Sequence, residues 1–332
     1  MEPLVSIVIP CFNEELYIKD CIISLLDGAY QKIEIIVVDG ESTDRTLEIL
    51  ECLKQTYNNI SVLSNPRRVT PVSLNIGVGA ATGSYIMIAG AHSKYPTNYI
   101  SELMLLQKTI DCDVIGGAIE TRVKNENLKS NAIVRVLSNK FGVGNSSFRT
   151  ESNVVLQVDT VPFGIYKRAV FEKVGGYNEA LIRNHDIELS KRIARSGFKI
   201  ILVSHIRCIY YAREDFAAFA KNNFANGYWN VLTLYITRDF KSLSIRHYVP
   251  LVFVLSIFFP IPLAVLFCYS LFLVPIVLII IYFAFLLYMS LQLMHVRRSF
   301  FYILVAFTTL HFSYGLGSLF ALFRLDKIKN KI

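Results

Sequence analysis

Two apolar runs near the N-terminus each end abruptly in acidic residues. Val5–Pro10 is followed by Glu14, and Ile35–Val38 is followed by Asp39 and Asp44. Continuous Val and Ile runs of this kind are typical of strands that are buried in a parallel sheet. In open α/β sheets the ligand lies just beyond the carboxyl ends of the strands. The pattern therefore predicts that Glu14, Asp39 and Asp44 face one crevice, which suits a polar ligand or a bound cation.

Strand and helix patterns alternate through the first 120 residues. Strands are predicted at Val5–Pro10, Glu34–Asp39, Ile60–Leu63, Tyr85–Ala89 and Val114–Ile119. Helices are predicted between them, at Leu16–Leu26, Asp44–Tyr57, Thr70–Ala80 and Tyr95–Gln107, with Thr43 or Asp44 as the N-cap of the second. This alternation indicates right-handed βαβ units and a parallel sheet. Because no GxGxxG follows the first strand, a dinucleotide-binding domain is not supported.

The chain after residue 120 is less regular. Residues 121–165 are rich in Asn, Ser and Gly, and we expect an irregular loop that faces the substrate, since long loops are usually functional. Helices are predicted at Arg168–Val174 and Asp186–Ser196, and one or two strands in 198–211. Residues 215–234 combine an amphipathic pattern with many aromatic side chains, which favours a helix in the membrane interface. The alternative is an ordinary helix that packs on the preceding domain.

Two long stretches contain no Asp, Glu, Lys or Arg. The first runs from Tyr248 to Met294 and the second from Ser299 to Phe323. Because a bilayer span needs ~20 apolar residues, the first is long enough for two spans and the second for one. Pro260 and Pro262 lie in the first stretch, and we expect them to kink a span rather than end it. The alternative, a buried helical hairpin, is disfavoured because core helices rarely lack charge for so long.

These patterns divide the chain into three regions. We expect an α/β domain in residues 1–214, an amphipathic interface region in 215–246, and a membrane domain of about three helices in 247–332. The formal net charge is +8, and basic residues cluster beside the apolar stretches. With membrane spans in the chain, anionic lipid headgroups are a simpler partner for this charge than nucleic acid.

The N-terminal region is expected in the cytoplasm. Met1-Glu2-Pro3 enters the first strand without a basic segment or a cleavage site of small residues. The six cysteines have no metal-binding spacing, which fits scattered reduced thiols. The side of the C-terminal tail stays open: the positive-inside rule favours the cytoplasm for both Arg297-Arg298 and Arg324–Lys331, whereas three spans would put the tail outside. One segment would then lie in the interface or re-enter the membrane.

A series of ordered motifs resembles glycosyltransferase family 2 with the GT-A fold, in particular membrane-anchored bacterial exopolysaccharide enzymes of the succinoglycan glucosyltransferase type. One such motif is weak, but the ordered series is specific and runs along nearly the whole chain. The motifs are Val5–Glu15, Val37–Thr46, Asn75–Gly83, Ala91–Pro96, Gly144–Arg149, Asp159–Gly164, Gly175–Tyr177, Asn184–Leu189, Gly227–Trp229 and His311–Gly317.

The resemblance implies both a fold and an activity. The fold would be the GT-A α/β domain of nucleotide-diphospho-sugar transferases, with a Rossmann-like parallel or mixed sheet, followed by C-terminal transmembrane helices. The activity would be inverting transfer of one sugar from a nucleotide-diphosphate donor, expected to be a UDP-sugar, to a polyprenyl-diphosphate-linked saccharide. The enzyme would be located in the bacterial cytoplasmic membrane. Two alternatives stay open: polyprenyl-phosphate glycosyl transfer, and a non-catalytic scaffold that binds nucleotide sugar.

The resemblance also assigns the donor site. It implies that Asp39 binds the nucleotide at its base or ribose. The remaining residues expected at the donor are Pro10, Phe12, Glu14, Asp44, Arg68, Ala91, His92 and Lys94.

The metal-binding motif that the resemblance implies is incomplete in this chain. The fourth strand should end in an acidic motif that resembles Asp-Ala-His in this subgroup, and this chain has Gly90-Ala91-His92. Mg²⁺ prefers carboxylate and phosphate oxygens, whereas a site built on His92 suits the softer Mn²⁺. Three alternatives stay open: a weak Mn²⁺ or Mg²⁺ site that includes His92, replacement of the metal by Lys94, Arg67 or Arg68, or an impaired enzyme.

On the acceptor side, the resemblance places the catalytic base at Asp186. Inverting transfer needs a carboxylate that takes the proton of the attacking hydroxyl, although a residue at a helix start can instead serve as a cap. Neighbouring His185 would tune the base or orient the acceptor. The other residues expected at the acceptor are Arg149, Phe163, Gly164 and Trp229. Trp229 lacks the basic residue that precedes it in processive synthases, which favours addition of a single sugar.

Overall fold

The computed structural model describes residues 2–144, 146–150 and 153–325. Its first half alternates strands and helices: β1 Val5–Cys11, α1 Ile18–Leu26, β2 Ile33–Asp39, α2 Thr46–Thr56, β3 Ile60–Ser64, α3 Thr70–Ala80, β4 Tyr85–Ile88, β5 Ser93–Lys94, α4 Tyr99–Ile110 and β6 Val114–Arg122. The predicted elements are present in the predicted order with shifted ends, and the two-residue strand β5 was not predicted. The largest shift is in α4, which begins at Tyr99 rather than Tyr95.

The second half contains more regular structure than predicted. Its first elements are α5 Leu128–Leu137, α6 Lys140–Val143, α7 Ser147–Thr150, β7 Val155–Gln157, β8 Ile165–Lys167, α8 Arg168–Val174, α9 His185–Arg195 and β9 Ile200–Tyr211. The last helices are α10 Phe216–Thr237, α11 Val249–Phe258, α12 Pro260–Leu266, α13 Leu273–Leu293 and α14 Ser299–Leu322. Short 3-10 turns at Phe240–Ser242, Ile245–His247 and Tyr269–Phe272 connect them.

Nine strands of the described chain form one mixed sheet in the order β3-β2-β1-β4-β8-β6-β9-β5, with β7 paired to β9. The four strands β1 to β4 are parallel, as predicted, and β8 then runs antiparallel to β4. The register pairs Cys11 with Asp39, so β1 and β2 end at the same level. Their following loops are therefore neighbours at one edge of the sheet, where α/β proteins bind ligands.

Both faces of the parallel strands are buried. Along β1, Ile7 and Ile9 pack with α1 and α4 on one face, whereas Val8 packs with Leu74 of α3 on the other. Successive side chains of a strand point to opposite faces, so helices on both sides require an apolar residue at every position. This packing explains the unbroken Val and Ile runs of the sequence. It also fixes the strand ends that carry the polar loops.

The chain forms two compact units, each made of two segments. The first contains residues 1–121 and 147–211, and the second contains residues 122–146 and 212–332. The sequence-based division had assigned all of 122–146 to the first region. The expectation of an irregular loop over 121–165 is wrong, because α5, α6, α7 and β7 lie there. Asn127 begins α5 with a capping box: its side chain accepts the N–H of Ser130, whose hydroxyl accepts the N–H of Asn127.

The second unit contains three helical segments that are long and apolar enough to cross a membrane. They are Ile245–Leu266, Tyr269–Leu293 and Ser299–Leu322, which confirms the predicted number of candidate spans within the described chain. Pro260 starts α12 directly after α11 without ending the first segment. The basic tail that includes Lys327, Lys329 and Lys331 lies outside the described residues.

Helix α10 packs closely along α14 within this unit. A Cβ atom on Gly227 would lie 1.9 Å from the carbonyl oxygen of Tyr314, and one on Gly317 would lie 2.0 Å from that of Phe224. Asn230 Nδ2 donates to the Tyr314 hydroxyl at 2.9 Å. Small residues thus let the two backbones approach, as in membrane helix pairs. The interface position expected for residues 215–234 stays a prediction.

Candidate functional site

A cleft of about 300 Å³ opens at the carboxyl ends of β1 and β2, inside the first unit. Residues predicted to bind the donor supply much of its lining: Pro10, Phe12, Glu14, Arg68, Ala91 and His92. The remaining lining residues are Cys11, Gly40, Thr70, Ser73 and Gly90. Phe12 is 47% exposed, so an aromatic face is open to a ligand in the cleft. The structure thus gathers residues from four separate segments of the chain around one cavity.

The loops after β1 and β2 are joined by hydrogen bonds. Asn13 Oδ1 accepts the N–H of Thr43 at 2.8 Å, and Asp44 Oδ2 accepts the N–H of Glu15 at 3.1 Å. Asp44 Oδ1 also accepts the N–H of Thr46, where α2 begins. Burial opposes ionisation of Asp44, but the hydrogen bonds from Thr46 and Glu15 outweigh it and lower its pKa. Asp44 therefore fixes the rim of the cleft and does not itself line it.

Asp39 lies under this rim. It is buried, and its carboxylate accepts the N–H of Ser42 at 2.8 Å and the hydroxyl of the same residue. Cys11 Sγ also donates to Asp39 at 3.4 Å. Burial, and after it the charge of Asp39, raises the pKa of the Cys11 thiol, which is therefore neutral. Asp39 is not itself a lining residue and contacts the lining through its hydrogen bond with Cys11. Contact of Asp39 with a nucleotide therefore stays a prediction.

His92 stands at the opposite wall with Glu14. Its Nδ1 lies 3.1 Å from Glu14 Oε1, and its carbonyl accepts the N–H of Tyr211. The Tyr210 ring meets the imidazole edge-on, with the centroids 5.1 Å apart. These contacts hold His92 between the loop after β1 and strand β9. Tyr210 and Tyr211 were missed by sequence reasoning, because only the long-range pairing of β9 with β5 brings them here.

Among the three cations that could replace a metal, only Arg68 lines the cleft. Its Nη2 donates to Glu41 Oε2 at 2.9 Å, and both side chains are about half exposed. Arg67 instead pairs with Glu179. Lys94 is exposed on β5, opposite Ile209 of β9, and is not part of the lining.

Phe163 and Gly164 lie beside Gly90, before strand β8. Gly164 accepts the N–H of Ile88 at 3.0 Å, and a Cβ atom on Gly164 would lie 2.9 Å from Val161 Cγ2. A side chain at position 164 would therefore meet Val161, and the expected contact of Gly164 with the acceptor stays a prediction. Phe163 has a left-handed backbone with φ of 46°. Its ring meets that of Tyr95 edge-on at 5.9 Å.

Asp186 is exposed in the first turn of α9. A carboxylate at a helix N-terminus is stabilised by the helix dipole. Burial, and after it the charge of Asp186, raises the pKa of Tyr166, which lies two residues beyond Gly164. Asp186 does not line the cleft, whereas Tyr166 lies next to Gly164. The assignment of Asp186 as the catalytic base stays a prediction, and its exposed position is compatible with that role.

His185 is enclosed next to the proposed base. Its ring lies edge-on to Tyr177 at 5.7 Å, and its buried Nδ1 has no hydrogen-bond partner among the described residues. Burial lowers the pKa of His185, and the charge of Asp186 opposes this only in part. His185 is therefore neutral at pH 7. It can orient a hydroxyl but cannot supply a fixed positive charge.

Arg149 is held between aromatic rings. Its guanidinium lies 5.3 Å from the Tyr210 centroid and 5.6 Å from that of Phe148, and Nη1 donates to Thr121 Oγ1 at 3.0 Å. Burial lowers its pKa. Within the described ranges no carboxylate pairs with the Arg149 guanidinium. Asn145 of the same motif lies outside the described residues.

Trp229 belongs to the second unit. It is half-buried on α10, and its carbonyl accepts the hydroxyl of Thr233 at 2.7 Å. The expected contact with an acceptor sugar stays a prediction.

The family model described as glycosyl transferase family 2 matches residues 6–175, just over half of the chain. The chain belongs to glycosyl transferase family 2. This family 2 enzyme is 28% identical over 251 residues to a Methanococcus voltae relative, with 70% of this chain and 77% of the relative covered. That relative is named dolichyl N-acetyl-alpha-D-glucosaminyl phosphate 3-beta-D-2,3-diacetamido-2,3-dideoxy-beta-D-glucuronosyltransferase.

A second relative is the succinoglycan biosynthesis protein ExoA of Rhizobium meliloti. It is 29% identical over 210 residues, which cover 62% of this chain and 63% of ExoA. Among solved structures, the mannosyltransferase PcManGT of Pyrobaculum calidifontis, in complex with GDP-Man and Mn²⁺, matches with a TM-score of 0.62. The identity is 16%, and the match covers 98% of this chain and 88% of PcManGT. The predicted GT-A fold and glycosyltransferase class are confirmed.

The residues of this glycosyltransferase do not fit a divalent ion held by the protein. Within the described ranges, no group of three His, Cys, Asp or Glu side chains could hold a metal. Among the described lining residues, Cys11, Glu14 and His92 are of these types. Glu14 Oε1 already lies 3.1 Å from His92 Nδ1, and the Cys11 thiol donates to Asp39. Gly90 provides no donor side chain where the related motif has Asp. The Mn²⁺ ion in the PcManGT complex was observed for that protein and is not transferred to this chain.

Proposed function

We propose that this glycosyltransferase moves a single sugar, with inversion, from a UDP-sugar to a polyprenyl-diphosphate-linked saccharide. One observation carries the proposal: a family 2 domain and three segments of membrane-spanning length occur in the same chain. A lipid-linked acceptor cannot leave the bilayer, so an enzyme that uses it must be anchored there. The two relatives described above have names that refer to a dolichyl-linked sugar and to succinoglycan synthesis, which supports this acceptor class.

The donor would bind in the cleft at the ends of β1 and β2. The exposed face of Phe12 suits stacking against a nucleobase. The carboxylates of Glu14 and Asp39 suit hydroxyl donors of a ribose or sugar. The rim is held by hydrogen bonds between its two loops, so the pocket needs little reorganisation on binding. The product would enter exopolysaccharide or capsule at the bacterial cytoplasmic membrane.

The chemistry assigned to Asp186 is general-base catalysis. An acceptor hydroxyl attacks the anomeric carbon, Asp186 takes its proton, and the bond from that carbon to the donor diphosphate breaks. The nucleoside diphosphate leaves with the bonding electrons, and the configuration inverts. Neutral His185 would orient the hydroxyl, and Arg149 would bind the acceptor diphosphate, because arginine suits phosphate oxygens. Phe163 and Gly164 would shape the acceptor side.

Asp186→Asn tests this proposal. A general base contributes on the order of 10²- to 10⁴-fold to the rate, so kcat for transfer into lipid extract should fall by at least about 10²-fold. Binding of UDP should be unchanged, since Asp186 does not line the cleft. Glu172→Gln, an exposed carboxylate of α8, is the control and should leave transfer unaffected.

Near-normal transfer by Asp186→Asn would contradict the proposal. It would favour polyprenyl-phosphate as the acceptor, because an ionised phosphate attacks without a base. Absence of any turnover by the unaltered protein over a broad donor panel would instead favour the alternative of a non-catalytic scaffold that binds nucleotide sugar.

A further inference from the structure

Position 90 has no room for a side chain. A Cβ atom there would lie 2.6 Å from Phe163 Cε1, 2.8 Å from Phe163 Cζ and 3.0 Å from Ser93 Oγ. Real Cβ atoms do not approach other atoms at the first two distances. The Gly90 backbone is also fixed, since its N–H donates to the Tyr95 hydroxyl at 2.9 Å and its carbonyl accepts the N–H of Ser93. A carboxylate at position 90 therefore needs Phe163 to move.

Phe163 is held where it is. Its φ of 46° lies in the left-handed region, which is an outlier for a bulky residue. Such a conformation persists only when its surroundings enforce it, and it is most often found at functional sites. Here the Tyr95 ring packs edge-on against Phe163, and Tyr95 also bonds Gly90. Gly90, Tyr95 and Phe163 therefore form one interlocked group, of which Gly90 lines the cleft.

Arg68 supplies the positive charge of the same cleft. It is the only Lys or Arg among the described lining residues. Its backbone is also left-handed, with φ of 56°, and its N–H donates to the carbonyl of Asn65 at 3.1 Å. Guanidinium has five N–H donors, so Arg68 can keep its bond to Glu41 and still bind phosphate oxygens.

We infer that this site binds the donor diphosphate without a divalent ion held by the protein. The Phe163 ring fills the space that a metal-binding carboxylate at position 90 would need, and the Arg68 guanidinium supplies the charge. The inference rests on the proposed function, because it names how that function's donor is held.

The first test is calorimetric titration of the detergent-purified full chain with UDP and with GDP, in EDTA and in Mn²⁺. The inference predicts the same Kd in both solutions for the nucleotide that binds. Binding that requires Mn²⁺ would overturn the inference and leave the proposed function standing. Absence of binding in both solutions, with a folded protein confirmed by its thermal transition, would overturn both.

The second test restores the missing ligand. Gly90→Asp alone should gain no Mn²⁺ dependence, since Phe163 occupies the space. The double variant Gly90→Asp with Phe163→Ala has both ligand and room, and Mn²⁺ should tighten its UDP binding by about 10-fold or more. Phe163→Ala alone is the control for the cavity. A gain of Mn²⁺ binding by Gly90→Asp alone, measured by electron paramagnetic resonance, would show that Phe163 does not exclude the ligand.

The third test is Arg68→Gln. Loss of a charge-assisted hydrogen bond to phosphate should weaken UDP binding in EDTA by about 10-fold or more. Arg45→Gln is the matched control, because Arg45 is also an exposed arginine paired with a glutamate, Glu48, and lies outside the cleft. Equal UDP affinities of the two variants would show that Arg68 does not bind the donor diphosphate.

Discussion

At the scale of single residues, left-handed backbones gather near the proposed site. Of the eight described non-glycine residues with positive φ, five lie near it: Asn13 and Glu41 in the two joined loops, Arg68 in the cleft lining, Phe163 beside Gly90, and Asn184 two residues before the proposed base. The other three are Asp111, Asn153 and Arg238. Each such residue costs on the order of 1 kcal/mol relative to a relaxed backbone. The shared location of the five near the site indicates that the backbone conformation of the site is selected for binding rather than for stability.

Two glycines of α3 test how closely this helix packs on the sheet. A Cβ atom on Gly77 would lie 2.2 Å from Val8 Cγ1, whereas one on Gly79 meets nothing within 4 Å. Gly77→Ala should therefore lower the free energy of unfolding by about 1–3 kcal/mol through overpacking. Gly79→Ala should raise it by about 0.5–1 kcal/mol, because alanine favours a helix. Thermal unfolding in detergent measures both, and a stabilising Gly77→Ala would contradict the packing.

At the scale of elements, local patterns predicted some parts of the fold and not others. Strands β1 to β4 and helix α3 were found because buried runs and apolar periodicity are local signals. Helix α5 was missed because its start depends on the side chain of Asn127, inside a polar stretch. The wall formed by Gly90 and Phe163 was also missed, since the two residues are far apart in sequence. Their contact depends on the antiparallel pairing of β8 with β4.

The close pairing of α10 and α14 yields an element-scale prediction. Gly317→Val places a branched side chain where the Phe224 carbonyl lies 2.0 Å from the Cβ position, so the helices must separate. We expect the melting temperature in detergent to fall, by the equivalent of about 1–3 kcal/mol. Leu316→Ala removes an exposed side chain of the same helix and should change little. Equal effects of the two variants would contradict close packing at Gly317.

At the scale of the whole molecule, one chain combines a family 2 glycosyltransferase domain with three candidate spans. The net charge of +8 adds attraction to anionic headgroups. Both features favour a substrate that stays in the membrane. The cleft proposed for the donor lies within a single unit, and its lining residues come from four segments of the first 92 residues. The proposed donor cleft and the three candidate spans thus belong to different parts of the chain.

The central claim is that this protein transfers a sugar to a lipid-linked saccharide. The most direct measurement gives the purified protein a radiolabelled UDP-sugar from a broad panel, together with a bacterial extract of polyprenyl-diphosphate-linked saccharides. We predict that label moves into the organic phase, that the lipid-linked product gains the mass of one sugar, and that Asp186→Asn slows this transfer by at least about 10²-fold. Label that stays in the aqueous phase for every donor, with a folded protein, would contradict the account.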